Sequence, residues 1–367
     1  VTGSLTRRQV LDLRVHAQQL DRTSGGLDDT AVLDLGVQDT GPDGGLWALA
    51  LRGVDVAALP DGALSTVWTI RGAPHLYRRA DLPEVAAATA PFSEADAGKR
   101  VYDAARPLRA AGIPVLAGLD SIAATMRSVV TAPMVKGEVS ARLTQLLDDP
   151  HLRYCRPCDA VHPWEQPFRL AALRAGLELE PGTSPPVLRP VPGLVPSADV
   201  APRFDVVRGY LRLLGPATPQ LVAGYLDAPV KDVQAHWPED AVDVDVDGER
   251  RWLLAADADR LDGVPPASGT ALLGPFDLFL QARDRDLLAP DRAHAKALWP
   301  VLGRPGAVLV DGEVAGVWRP RKAGRSLTVA VEPWRELAGA ERAAVTAGAE
   351  RLAAFRQVTL KAVEIAG

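Results

Sequence analysis

Apolar positions near the start of the chain recur at helical spacing. Val10, Leu13, Ala17 and Leu20 share one face, and Thr6 followed by Gln9 has the spacing of a capping box. A loop with a glycine pair covers 22–29, and a second helix is expected from Asp29 or Thr30 through Leu35. The run Gly41-Pro42-Asp43-Gly44-Gly45 then breaks the chain. Residues 47–51 are a short apolar stretch ended by Gly53. Residues 64–70 alternate poorly and lead through Arg71-Gly72-Ala73-Pro74-His75-Leu76-Tyr77, a turn into a short strand. Asp81-Leu82-Pro83-Glu84 opens another helix, with proline in its first turn.

The pattern is clearest over 204–261. Phe204, Val207, Leu211 and Leu214 make an amphipathic helix closed by Gly215-Pro216. Thr218-Pro219 begins a second helix, and Pro229 begins a third that reaches His236. Val242-Asp243-Val244-Asp245-Val246 then alternates with period two, Asp247-Gly248 supplies a hairpin turn, and Trp252-Leu253-Leu254 returns. Three helices followed by a hairpin is the plan of a winged helix. A similar order appears earlier, with helices at 121–126 and 134–147, a hairpin or wing at 152–162, and a helix at 166–176. The Pro-, Gly- and Ser-dense stretch 181–202 reads as a linker or extended crossing. From Ala271 the pattern turns to β: 308–310, the turn Asp311-Gly312, 314–318, a basic loop at 319–325 and a strand at 327–331, before a closing helix at 336–355. The expected fold is α+β, with tandem winged-helix units and a small C-terminal β-barrel-like domain. The expected boundaries are 1–95, 96–180, the linker 181–202, 203–265, 266–335 and a C-terminal helix and tail at 336–367.

Composition sharpens this picture. The 367 residues are too many for one ordinary core, and 47% hydrophobic with 24% charged is the balance of a folded protein. There is no apolar run long enough to span a bilayer and no apolar segment behind the basic residues at the start. A cytoplasmic protein without a membrane partner is therefore expected. Two cysteines do not build a disulfide framework. The net charge of −5 weighs against nucleic acid only as a sum, because DNA responds to a local basic face. P-loop, dinucleotide and nucleophile-elbow motifs are absent from the sequence.

Two stretches carry a family resemblance. One is Leu272-Leu273-Gly274-Pro275-Phe276-Asp277, continuing through Arg283-Asp284-Arg285, Ala293-His294-Ala295-Lys296 and Val310-Asp311-Gly312 to Trp318-Arg319. The other is Leu33-Asp34-Leu35-Gly36-Val37-Gln38-Asp39-Thr40, followed by Trp68-Thr69-Ile70-Arg71-Gly72-Ala73-Pro74-His75-Leu76. Together they resemble the winged-helix DNA glycosylases of the AlkZ and YcaQ kind, in the same order over nearly the whole chain. The resemblance implies tandem winged helices and a small β-barrel around a DNA-sized cleft. It also implies cleavage of the N-glycosidic bond of bulky N7-alkylpurines or interstrand crosslinks, with double-stranded DNA as partner and no cofactor. The family's catalytic motif is Gln-x-Gln in one branch and Gln-x-Asp in the other. Here, placing Gln38 at the second Gln puts Gly36 at the first, and placing Asp39 at the acidic position puts Val37 where Gln is expected.

An N7-alkylated purine already carries positive charge, so its departure needs no general acid. Water must be held against C1′ and an oxocarbenium-like transition state stabilised. Asp39 is the candidate for polarising the water and Gln38 for orienting it; the alternative is that both residues merely terminate a helix. Arg71, His75, Arg78 and Arg79 form a polar cluster beside a turn, while Arg319, Arg321, Lys322 and Arg325 surround a hairpin tip. Both groups suit phosphate contact, the second better than the first, and the alternative for each is a solvated charged loop. His151, Cys155, Cys158 and His162 offer four metal-ligand types close together, but the histidines are not at finger spacing. Buried thiols on a DNA-facing wing, without metal, are the default there. Three functions remain open: a monomeric, monofunctional glycosylase serving repair or self-resistance, a non-catalytic DNA-binding regulator or lesion sensor, and a protein-binding scaffold.

Overall fold

A computed structural model describes residues 3–366. The chain forms two compact units, neither continuous in sequence. The first takes the chain up to Leu59, Arg208–Leu221 and everything from Pro238; the second takes Pro60–Val207 and Val222–Trp237.

In the first unit the capping box forms as its spacing predicts: Thr6 caps helix Arg7–Ala17 and Gln9 bonds back. The expected second helix is only Val32–Leu35. Gly36, at φ 92°, turns the chain into the extended pair Val37–Gln38. A left-handed φ is open to glycine without a Cβ clash, and it ends the helix three residues before Asp39. Residues 45–51 are helical. The hairpin Ala241–Val246 with Glu249–Leu254 turns on Asp247 and Gly248, both at positive φ as a type I′ turn requires. Ser4–Leu5 joins it as a third, parallel strand.

The C-terminal β segment is one five-stranded sheet. Its order is Thr270–Leu273, Gly306–Val310, Glu313–Ala323, Ser326–Pro333 and Thr359–Ile365. The first four strands are antiparallel and the last is parallel; the two edge strands are not paired with each other, so the sheet is a half-barrel. Two expectations change here. The basic loop 319–325 is strand up to Ala323, with only Gly324 and Arg325 in the turn. Leu327, Val329 and Val331 are buried with period two on the facing strand, and this alternation carries the pairing out into the polar segment. The tail after helix Gly339–Phe355 is also a strand, at the sheet edge, where a half-exposed pattern shows little periodicity.

In the second unit, strands Pro74–Arg78, Leu64–Trp68, Leu177–Leu179, Val187–Pro190 and Met134–Val135 lie side by side in that order. The Pro-rich 181–202 stretch thus contributes a strand. Helices Val115–Val129, Lys136–Leu146 and Glu165–Arg174 bury Ile122, Met126, Leu143 and Phe168 with Trp68 and Leu188 in one core. A separate hairpin pairs Leu152–Cys155 with Ala160–Pro163. Among the described residues no single helix is long and apolar enough to cross a membrane.

Candidate active site

Gln38 closes the extended pair Val37–Gln38, and Asp39 and Thr40 follow it outside any helix or strand, so the candidates are not separated by a helical step. Gln38 donates from Nε2 to Thr40 Oγ1 at 3.1 Å, which brings these two side chains together. Asp39 Oδ1 accepts the Gly45 N–H at 3.0 Å, at the start of helix Gly45–Leu51. All three side chains are half-buried. Gly44 is needed for this fit, because a Cβ there would stand 2.5 Å from Asp39 Oδ1 and 3.0 Å from the Thr40 nitrogen. Thr40 is the residue that the helical reading passes over; a period of two would have marked it. With Gln38 first, Thr40 occupies the second position of Gln-x-Gln.

The residues that carried the C-terminal resemblance hold this loop in place. Trp47 Nε1 donates to Leu272 O at 2.8 Å. Gly274 passes so close to Asp43 that a Cβ would meet its carbonyl oxygen at 2.3 Å. Asp277 receives both Arg52 guanidinium nitrogens at 2.9 Å, with both side chains wholly buried. Arg52 spends its other donors on Gln18 and on Ala48 O. Arg356 pairs with Asp43 just before the Gly44-Gly45 turn. Asp284 likewise accepts Arg14 at 3.0 and 2.6 Å and Arg251 at 2.5 Å, all buried. These motifs are therefore fasteners of the fold: each buried charge is matched by a partner, without which it would not be tolerated.

The other candidates divide sharply. Arg71, at φ 58° in the turn between two strands, lies 4.8 Å over the Tyr225 ring and donates to the Tyr225 carbonyl. His75 is buried, with Nδ1 near Ala73 O at 2.9 Å and Thr69 Oγ1 at 3.1 Å. Burial, with the Arg71 charge nearby, pushes its pKa down to about 3, so it is a neutral ring at ordinary pH. Arg78 is buried and bonds Asp81 at 3.0 Å. Arg79 bonds Glu178 at 2.7 and 2.6 Å and Gly62 O at 2.8 Å. Of the expected cluster, His75 and Arg78 are interior, held by Thr69, Ala73 and Asp81, and Arg71 and Arg79 are half-buried. Arg319, Arg321, Lys322 and Arg325 are all exposed. Arg319 bonds Gly303 O at 2.6 Å, and Arg321 pairs with Glu364. Arg319 and Arg321 line a groove of about 550 Å³ beside the edge strand. Strand alternation sends Lys322 to the other side.

On the separate hairpin the structure brings Cys155, Cys158 and His162 together, with ligand atoms within 4.8 Å of one another; His151 is not among them. The Cys158 backbone N–H, then His162, then the Cys158 thiol hold the Cys155 thiol down at about 7.

The family model for "DNA glycosylase AlkZ-like" matches residues 32–355. The interstrand DNA cross-link repair glycosylase of Streptomyces sahachiroi is 32% identical over 136 residues, which is 34% of this chain and 36% of that protein. The solved structure of Streptomyces sahachiroi DNA glycosylase AlkZ is similar with a TM-score of 0.71 at 22% identity. That likeness covers 99% of this chain and all of the other, and it establishes the shared α+β fold. A family match running from the Val32–Leu35 helix to the end of the Gly339–Phe355 helix takes in both the 37–45 loop and the buried Arg52–Asp277 pair: the chain belongs to the AlkZ-like DNA glycosylase family.

Proposed function

We propose that this protein is a monofunctional DNA glycosylase, hydrolysing the N-glycosidic bond of bulky N7-alkylated purines or of the interstrand crosslinks they form in duplex DNA. The reading rests on the family match through 32–355, which includes the loop bearing Gln38, Asp39 and Thr40. The relative named for cross-link repair supports this substrate class, over the 36% of its length that is aligned. Along the chain, helices Val206–Leu214, Pro219–Leu226 and Val230–Ala235 precede the 241–254 hairpin in the order of a winged helix, the earlier helices and hairpin repeat that order, and a five-stranded sheet follows, an order that supports a DNA-binding protein. The intracellular, monomeric form expected from sequence belongs to this reading.

The chemistry follows from the loop. Gln38 and Thr40 offer an amide and a hydroxyl at hydrogen-bonding distance, a pair able to hold one water between them for attack at C1′. Asp39 bonds the helix start and fixes the loop, and its negative charge favours the oxocarbenium-like transition state. No proton needs to be delivered to a cationic purine, which agrees with the neutral His75 being interior. Exposed Arg319, Arg321, Lys322 and Arg325, with Arg71 and Arg79 at the second unit's surface, are the proposed phosphate contacts.

The test is base release from a duplex carrying an N7-alkylguanine, scored as alkali-labile strand cleavage. Wild type should release base, Gln38→Ala should abolish release, and Asp39→Asn should lower it while keeping an acceptor for Gly45 N–H. Absence of release from small and bulky lesions alike, despite salt-sensitive binding, would support the second reading, a non-catalytic DNA-binding protein. The replacement of a family glutamine by Thr40 is the observation that favours that second reading.

A further inference from the structure

We propose that Cys155, Cys158 and His162 form a zinc site that fastens the end of the Leu152–Cys155 and Ala160–Pro163 hairpin. The three ligand atoms already lie within 4.8 Å of one another. A tetrahedral zinc with bonds of about 2.3 Å to sulfur needs its sulfurs about 3.8 Å apart, so closure requires only small side-chain rotations.

The backbone builds the site. Register pairs Arg153 with His162 and Cys155 with Ala160, which puts Cys155 and His162 diagonally on one face of the hairpin. The single 3-10 turn Arg156–Cys158 brings the second sulfur round, and its backbone N–H bonds the Cys155 sulfur. Asp159, left-handed at φ 48°, then returns the chain to the second strand. His162 Nδ1 lies 2.8 Å from Pro163 O, so the N–H belongs there and Nε2 presents its lone pair. This is the outer bond that orients a metal-binding histidine. Arg153 Nη2 approaches Cys155 Sγ at 3.9 Å and helps to balance thiolate charge. Two thiolates, one imidazole and no carboxylate form a donor set suited to Zn²⁺ over Mg²⁺ or Ca²⁺. Three protein ligands leave the fourth position to solvent on the exposed Cys158 side.

A metal here has mechanical work to do. The turn Arg156–Cys158 buries no side chain of its own, and Tyr154 and Val161 project outward at 59% and 50% exposure. The base of the hairpin packs on the core through Leu152, with Pro163 buried across from it, whereas its tip has no such support, and a metal clip would tie that tip.

The experiment uses the reduced, full-length protein stripped of metal by chelation. Zn²⁺ content is measured after re-addition and desalting, and Co²⁺ titration is followed by thiolate-to-cobalt absorption. The expected result is one ion per chain with intense tetrahedral cobalt bands. Cys158→Ser, at an exposed position, should remove about half of the charge-transfer signal, and His162→Ala, which deletes a direct ligand, should weaken affinity by at least the roughly 10–100-fold that loss of an outer partner costs. Circular dichroism confirms that both variants remain folded. Failure of the reduced wild type to retain either ion overturns the proposal, and formation of a Cys155–Cys158 disulfide in that case would assign the pair to redox chemistry. Undiminished binding by both variants overturns it as well, by placing the ion elsewhere.

Discussion

Asp277→Ala removes the acceptor for a guanidinium that has no access to water. Arg52 is wholly buried, and two of its N–H groups end on Asp277 at 2.9 Å while the others reach Gln18 and Ala48. Breaking a buried pair from one side strands a charge and costs about 3–5 kcal/mol, roughly two to four orders of magnitude in the folded-to-unfolded ratio. Asp277 also accepts the Phe279 N–H at 3.0 Å, so about 1 kcal/mol of the loss is a missing cap. The two parts separate in a cycle with Arg52→Met and Asp277→Leu. The double variant keeps the missing cap and leaves three acceptors short of Arg52 donors, yet it buries no lone charge. It should recover about half of what Asp277→Leu loses, so the coupling is about 2 kcal/mol plus whatever Arg52→Met costs alone. Guanidinium chloride unfolding, fitted with as many transitions as two units require, measures this. A cost for Asp277→Ala below about 1 kcal/mol, or a double variant equal to the sum of its singles within about 0.5 kcal/mol, would refute the view that this signature residue is a fastener.

Other expectations follow from single contacts. His75 has its pKa pushed down to about 3 in the fold, against about 6.5 unfolded, so the unfolded chain takes up the proton first as pH falls. Stability from this group is full above about pH 6.5 and declines by about 1.4 kcal/mol per unit down towards pH 3. Urea unfolding at pH 7 and pH 5 should show this loss in wild type and a flatter response in His75→Gln; equal slopes would exclude it. Gly44→Ala should displace the Asp39 carboxylate, which stands 2.5 Å from the new Cβ, and cut base release more than it cuts stability. Parallel rate and melting measurements decide, and unchanged release would show that the Asp39 position is unimportant. Lys322→Ala and Arg325→Ala should each lower DNA affinity across sequences and reduce the log–log salt slope by about 1. A slope that stays the same would remove those residues from the phosphate contacts.

The elements with strong local chemistry were legible. The capping box at Thr6 and Gln9, the 241–254 hairpin on Asp247-Gly248 and the turn at Asp311-Gly312 each form where spacing places them, because each is decided by contacts within a few residues. The strand at 359–365 and the strand character of 319–323 were not legible, since both are held by a neighbouring strand whose alternation does the specifying. In the candidate site, Gln38 and Asp39 could be singled out, but the shape of their backbone could not. It depends on Gly36 taking φ 92°, which periodicity does not reveal. His75 and Arg78 look like surface charge in sequence because burial of a polar group is decided by partners such as Thr69 and Asp81.

The spacing of the family motif gains a physical meaning from this backbone. Gln38 and Thr40, separated by one residue, meet just past the extended pair Val37–Gln38, which Gly36 opens directly after the Val32–Leu35 helix. On that geometry Gly36 and Val37 cannot substitute for glutamine, since neither carries a polar side chain, and the pair at the motif's spacing is Gln38 with Thr40. A threonine hydroxyl reaches less far than a glutamine amide, so a water held by this pair must sit nearer the backbone. Thr40→Gln restores the family's second glutamine at that spacing. If the extended pair is the working site, Thr40→Gln should retain base release and shift its preference among lesions of different bulk, whereas Thr40→Val, which keeps the shape and removes the hydroxyl, should lose it. Equal release from Thr40→Val and wild type would break the link between this pair and the water.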